Sequence, residues 1–351
     1  MPPFPQLDHL VALTDDVGLF QHATLDVPNR SCGYCTDDVG RALLIACDAA
    51  ARPQSAALGA RLMTTYLSYL HDAQLADGWF HGFMGYDRRW QDDVGSPDAV
   101  GRAVWGLGYA ERHAPRATWR TLAGRLRARA LPGIARMRFV RPHAYVALGL
   151  LHALDARPDD ARAVRDALAS CAASIADAYD AYRTADWRWC EDVMTYDNAR
   201  LPEALLRCGA ALDDLRLTRI GIEMLDFYVG AVLEDDVFVP VGSDGWYPRD
   251  GAKARRGQQP LEAAALIDAA AVALALTGEE RWRRVAEIAF DWFHGRNTHG
   301  SRLAAEGGGC ADGIDEHGVN LNMGAESTLA YLLSAVAMAR LVPGRPLLLA
   351  R

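Results

Sequence analysis

Six times along this chain a polar, aromatic-rich loop runs into an apolar stretch of helical length, and that recurrence limits what the chain can fold into. The stretches are GYCTDDVGRALLIAC, WQDDVGSPDAVGRAVWGLG, RPHAYVALGLLHAL, WRWCEDVMTYDNARLPEALL, GQQPLEAAALIDAAAVALAL and LNMGAESTLAYLLSAVAM. Their helical parts start near residues 38, 98, 142, 197, 260 and 325, a mean step of about 57 residues, which suits a helical hairpin plus one long loop. These helices are apolar nearly all round, as buried helices are. The stretches between them carry charged stripes, as at 54–72, where Leu58, Leu62, Leu67 and Leu70 fall near helical spacing.

Six inner helices and five outer ones leave one outer place, which a short helix over 7–14 fills. The pattern therefore predicts an all-α chain, an (α/α)6 toroid of six helical hairpins, as a single domain over 1–351. The inner-helix N-termini and the long loops open on one end, and the Gly-rich loop 235–259 has room for a short β-hairpin there. An open helical solenoid is the alternative. It would repeat a loop consensus, whereas these six loops differ in length and chemistry.

Composition adds bounds. The chain has 351 residues, half of them apolar and 23% charged, which is ample for a core. The net charge of −8 argues against nucleic acid and against an anionic membrane surface. Seven scattered cysteines do not form a disulfide framework. Cys32 and Cys35 make one C-x-x-C without a second ligand pair, so small packing residues are expected there, and no metal or cofactor. The N-terminus lacks the basic and apolar regions of a signal peptide, and no uninterrupted apolar run is expected to reach spanning length. A cytoplasmic location follows as an expectation, unless a partner or an upstream domain exports the chain.

On these elements the chain resembles the six-hairpin glycosidase superfamily. Within it, DGWFHGFMGYDRRW, TDDVGRALL, YDNARLPEALL and QQPLEAAALI are similar to helical domains associated with glycosyltransferases. The resemblance covers nearly the whole chain. It implies carbohydrate chemistry in a cleft formed by the loops that precede the inner helices, and it carries over no catalytic residue.

The residues at the expected open end fit that implication. Asp37, Asp38, Asp92, Asp93, Glu191, Asp192, Glu262 and Glu326 all stand at or just before inner-helix starts. Glycosidic cleavage needs paired carboxylates, one to protonate the leaving oxygen and one to activate water or attack carbon. Glu191 and Asp192, adjacent acids beside Trp187 and Trp189, are the acid candidates, because a neighbouring carboxylate or an aromatic wall raises an acid's pKa. Asp38 or Asp93 is the opposing carboxylate.

The bland alternative is an N-cap, or a brace. Asp38, Asp98 and Asp197 precede Arg41, Arg102 and Arg200 by three or four residues, the spacing of helix-surface ion pairs. Trp79, His81, Tyr86, Trp90, Trp189, Tyr196, Trp246 and Tyr247 sit in loops. There they either stack on sugar C–H faces or plug the core. Asp37, Arg88, His143, Gln258, Gln259, Glu262, His317 and Glu326 complete the candidate substrate-binding set. Lys253, the only lysine, lies beside Arg255 and Arg256; the three either hold phosphate or a sugar carboxylate, or form a solvated basic loop.

The expected function is an inverting glycoside hydrolase acting on an oligosaccharide. The alternatives are a glycoside phosphorylase using Lys253, Arg255 and Arg256 or Arg88 and Arg89 for phosphate, and a sugar epimerase. The epimerase reading draws on His143, His81 and His317. A non-catalytic glycan-binding or scaffold domain with a glycosyltransferase partner is the non-enzymatic alternative. The surplus of cleft carboxylates favours an enzyme, since a neutral sugar does not need so many.

Overall fold

The computed structural model describes residues 4–341, which fall into two compact units, residues 10–173 and residues 4–9 with 174–341. The chain opens on a short helix, α1 (Asp8–Ala12). In the unit 10–173, α2 (Thr36–Ala50) is followed by α3 (Ala56–Ala73), α4 (Pro97–His113), α5 (Ala117–Ala130) and α6 (Val140–Asp155). Helices α2, α4 and α6 pack side by side in that order, with α3 against α2 and α5 against α4. Helix α7 (Ala161–Tyr182) follows. In the second unit come α8 (Arg200–Leu212), α9 (Leu215–Val232), α10 (Pro260–Thr277), α11 (Arg281–Asp291) and α12 (Ala325–Arg340). Here α10 packs between α8 and α12, with α9 against α8 and α11 against α10.

Local chemistry sets the helix ends. The Ser96 hydroxyl accepts the Ala99 N–H and Pro97 opens α4, while Asp214 accepts the N–H groups of Arg216 and Leu217 to start α9. Gly278, at φ 71°, ends α10 in a left-handed turn. Helix α10 is long and apolar enough by composition to cross a membrane, contrary to the expectation that no run reaches that length, but 72% of it is buried inside the protein, as a core helix is.

The inner helices touch through backbone. A Cβ on Gly106 of α4 would lie 2.1 Å from the Gly40 carbonyl oxygen of α2, and one on Gly108 would lie 2.0 Å from the Gly149 oxygen of α6. Glycine inside a helix ordinarily costs about 1 kcal/mol against alanine. Here the sign reverses. Gly106→Ala is expected to lower stability by about 1–3 kcal/mol through overpacking, read from urea unfolding; a more stable variant would contradict this contact.

Five two-stranded antiparallel ribbons join the loops among the described residues. Tyr34–Cys35 pairs with Phe83–Met84, and Gly313–Asp315 with Gly318–Asn320. The expected hairpin in the loop 235–259 starts earlier, pairing Leu233–Glu234 with Val237–Phe238. Tyr247–Pro248 pairs instead with Val193–Met194, from the loop before α8.

Candidate functional site

In the unit 10–173, the first turn of α2 anchors the long aromatic loop. The Thr36 N–H donates to the Gly82 oxygen at 2.9 Å, and the Thr36 hydroxyl donates to the His81 oxygen at 2.6 Å. His81 stacks on Trp90, with centroids 4.7 Å apart and planes 9° from parallel. Its Nδ1 lies 2.7 Å from the Asp92 main-chain oxygen. A carbonyl only accepts, so Nδ1 carries a proton. The Asp92 carboxylate accepts the Gly82 N–H at 2.7 Å and closes the loop on itself.

Beside this loop, Asp37 projects from the first turn of α2. One of its oxygens accepts from Arg102 Nη1 of α4 at 2.5 Å. The other oxygen is buried and has no hydrogen-bond partner. Arg102 in turn donates to the Tyr145 hydroxyl of α6 at 2.9 Å and lies 4.5 Å from that ring's centroid. Two residues earlier, His143 donates from Nδ1 to the Phe139 oxygen at 2.8 Å, which leaves its Nε2 lone pair. Burial lowers the His143 pKa and keeps the ring neutral at pH 7. A carboxylate, a guanidinium, a phenol and an imidazole thus run along the N-terminal ends of α2, α4 and α6.

In the second unit the centre is Glu262, in the first turn of α10 and 1% exposed. Its carboxylate accepts from four donors: the Asp197 N–H, the Asn198 N–H at 3.4 Å, Asn198 Nδ2 at 3.1 Å and the Tyr228 hydroxyl at 2.7 Å. Burial first and the Asp197 charge second outweigh these donors and push its pKa to about 7. Asp197 itself takes φ +50°. Below it, Arg200 ion-pairs with Asp197 at 3.5 Å, Glu203 at 2.6 Å and Asp268 at 2.7 Å. Tyr196 and Trp246 meet above this anchor, both half-buried, with centroids 6.2 Å apart. Half-buried Glu326 stands in the first turn of α12, where Asp312 accepts the Gly324 N–H at 2.8 Å and the Ser327 hydroxyl.

No family model and no curated protein matches the sequence. Solved structures do. A cellobiose 2-epimerase from Bacillus thermoamylovorans superposes with a TM-score of 0.72 at 13% identity, over 95% of this chain and 96% of that one. A D-mannose isomerase gives 0.72 at 11% identity, over 94% and 93%. A GH76 alpha-mannanase of Bacteroides thetaiotaomicron gives 0.64 at 11% identity, over 95% and 94%. The fold is the (α/α)6 toroid. At these identities the likeness speaks for the fold alone.

The other expected site residues are placed as follows. Asp38 pairs with Arg41 at 2.6 Å, both buried, so it braces α2. Asp192 is exposed and pairs with Arg249 at 2.9 Å; Glu191 is half-buried, and its main-chain oxygen accepts the Trp187 indole N–H. Asp93 is exposed. Trp189 is fully buried against Tyr228, and Trp79 is buried with its indole donating to the Gly95 oxygen, so both plug the core. Gln258 is buried between Thr298, the Arg255 oxygen and the Trp292 indole. Tyr86 is exposed, and Arg88 pairs with Asp16 on the surface. His317 is exposed beside Glu316, and Gln259 is half-buried.

The basic loop is also spoken for. Lys253 donates to the Ala231 and Val239 oxygens at 2.7 and 2.8 Å and to Glu234 at 3.0 Å, while Arg255 pairs with Glu234 and Arg256 with Glu316. Lys253 is therefore a tie between backbone segments. Lys253→Met is expected to cost about 1–3 kcal/mol in urea unfolding by stranding two carbonyls. Its affinity for inorganic phosphate, measured by calorimetry, should match that of the parent; a lost phosphate site would restore the anion reading. The residues that sequence reasoning missed are Tyr145, Tyr228, Glu203 and Asp268, which lie inside helices and carry no local signal of a partner.

Proposed function

We propose that the protein is a carbohydrate-active enzyme that hydrolyses a glycosidic bond with inversion, Asp37 taking the proton of the attacking water while a second, protonated carboxyl group gives its proton to the leaving oxygen. The observation that carries this reading is the Asp37 carboxylate: the Arg102 cation holds one oxygen, and the other is a buried acceptor without a donor. A paired cation keeps a carboxylate ionised and aimed, which a base requires. The fold supports the reading at the level of class, because its solved neighbours include enzymes named for sugar epimerisation, sugar isomerisation and mannan or cellulose chemistry.

Epimerisation or isomerisation is the second reading, favoured by the Nε2 lone pair of His143. Proton abstraction beside a carbonyl needs such a neutral base. Phosphorolysis has less support, since the Arg88, Lys253, Arg255 and Arg256 charges are met by carboxylates.

Proton NMR of the protein in D2O with manno-, gluco- and galacto-oligosaccharides, with and without phosphate, separates the three. New reducing-end anomeric signals without phosphate are expected. Loss of a C2 proton signal with no new reducing ends would establish the second reading, and a sugar 1-phosphate appearing only with phosphate would establish the third.

A further inference from the structure

Two aromatic residues in the unit 174–341 are held by backbone that ordinary residues avoid. Trp246 takes φ +59°, a left-handed conformation that is an outlier for a bulky side chain. It is fixed there by its own N–H donating to the Gly242 oxygen at 3.0 Å and by the Ala254 N–H donating to its oxygen at 2.7 Å. Tyr196 precedes Asp197, which is also left-handed, at φ +50°. Strain of this kind persists only where the surroundings over-determine it, and it gathers at binding sites. The ribbon of Val193–Met194 with Tyr247–Pro248 brings the two loops together, and the rings meet with their planes 48° apart.

Glu262 is what over-determines the first of these turns. One oxygen takes the Asp197 N–H. The other takes both Asn198 donors and the Tyr228 hydroxyl. Three donors on one oxygen and one on the other tie both oxygens of this carboxylate to the turn and to α9.

We propose that Glu262 is a positioning residue, which fixes the Tyr196–Asp197–Asn198 turn so that Tyr196 and Trp246 stand as an aromatic wall for a neutral saccharide. The wall's ligand rests on the carbohydrate reading above; the hold on the turn does not. Sugar rings present C–H faces that suit such a wall, and neither aromatic side chain is sunk in the core.

The hold depends on pH, and its sign follows from linkage. The groups bearing on the carboxyl are Asp197 and Asn198 from the approach to α8 and Tyr228 from α9, with Arg200, Glu203 and Asp268 one tier below. Among the described residues α11 and α12, also packed on α10, give it no hydrogen bond. The carboxyl has a pKa of about 7 in place and 4.5 when hydrated. The closed turn therefore binds the proton more tightly than the opened one. Opening is hardest in acid and becomes easier as pH rises from about 4.5 to about 7, and then levels.

Hydrogen exchange of the segment 193–199, corrected for intrinsic rates, reads the hold directly. In the parent, protection should fall at least about tenfold between pH 5 and pH 7.5. In Glu262→Gln, which keeps an acceptor oxygen but does not titrate, it should be flat. Tyr228→Phe removes one donor from the carboxylate and should carry the fall above pH 7, which keeps the test alive if the Gln variant misfolds. Equal pH dependence in the parent and in both variants overturns the proposal.

The ligand is tested apart. NMR signals of mannotetraose or cellotetraose should broaden with the parent and not with Trp246→Ala. A pH-dependent hold with neither sugar broadened overturns the saccharide assignment of the wall and counts against the carbohydrate reading, while the positioning of the turn stands.

Discussion

Arg200→Ala is expected to lower the free energy of unfolding by about 3–5 kcal/mol, the cost of leaving buried charges without their partner. Arg200 is 3% exposed and meets three carboxylates. Two of them, Asp197 and Glu203, are as buried as the arginine, and Asp268 is 22% exposed. Glu203 has a second cation in Arg207 at 2.8 Å, but Arg207 is 26% exposed and cannot replace a charge at the centre of the cluster. Lysine in place of Arg200 would supply the charge without the planar fork that reaches several acceptors at once, so Arg200→Lys should recover only part of the loss.

The contrast is Arg216→Ala, which removes an exposed pair with Asp180 and should change stability by less than about 1 kcal/mol. Urea unfolding of the three variants gives the comparison. Equal effects for Arg200→Ala and Arg216→Ala would mean that the cluster is hydrated in solution and does not brace α8 and α10.

That cluster also shows where sequence reading succeeds and where it stops. The spacing of Asp197 and Arg200 announces an ion pair, and Asp38 with Arg41 does the same; both pairs are present. Spacing places them on helix surfaces, whereas the structure buries them between helices. The third pair of this kind shows the limit. Arg102 follows Asp98 by four residues, and that spacing gives no sign of its contact with Asp37, 65 positions away on another helix.

Eleven of the twelve α-helices among the described residues were legible because each runs for at least 11 residues, long enough to show its period. The loop ribbons were not, since two residues carry no period and their pairing is decided by which helix ends come together. Loop aromatics were legible as a class but not one by one. Nothing local distinguishes Trp189, which fills the core, from Trp246, which stands in a strained turn at a half-buried edge.

Adjacent residues give the sharpest test of the catalytic assignment. Asp37→Asn is expected to lower kcat by about 10²–10⁴-fold, the range for a lost general base, and to lower stability as well, because it removes the negative partner of buried Arg102. Asparagine keeps the shape, and its carbonyl oxygen can still accept from Arg102, so the fold keeps its hydrogen bond while the water loses its base. Asp38→Asn should lower stability without the loss of turnover. It removes the negative partner of a buried guanidinium, so stability falls while the folded fraction keeps its turnover.

The two substitutions differ by one position and by nothing in chemistry. Their divergence would rest on geometry alone: Asp38 is closed into Arg41, and Asp37 offers an acceptor that no protein donor meets. Measured by turnover of the oligosaccharide identified by NMR and by urea unfolding in parallel, an Asp37→Asn variant with parental kcat would remove Asp37 from the chemistry. The same result with loss of stability would make the Arg102 contact a brace like the one beside it.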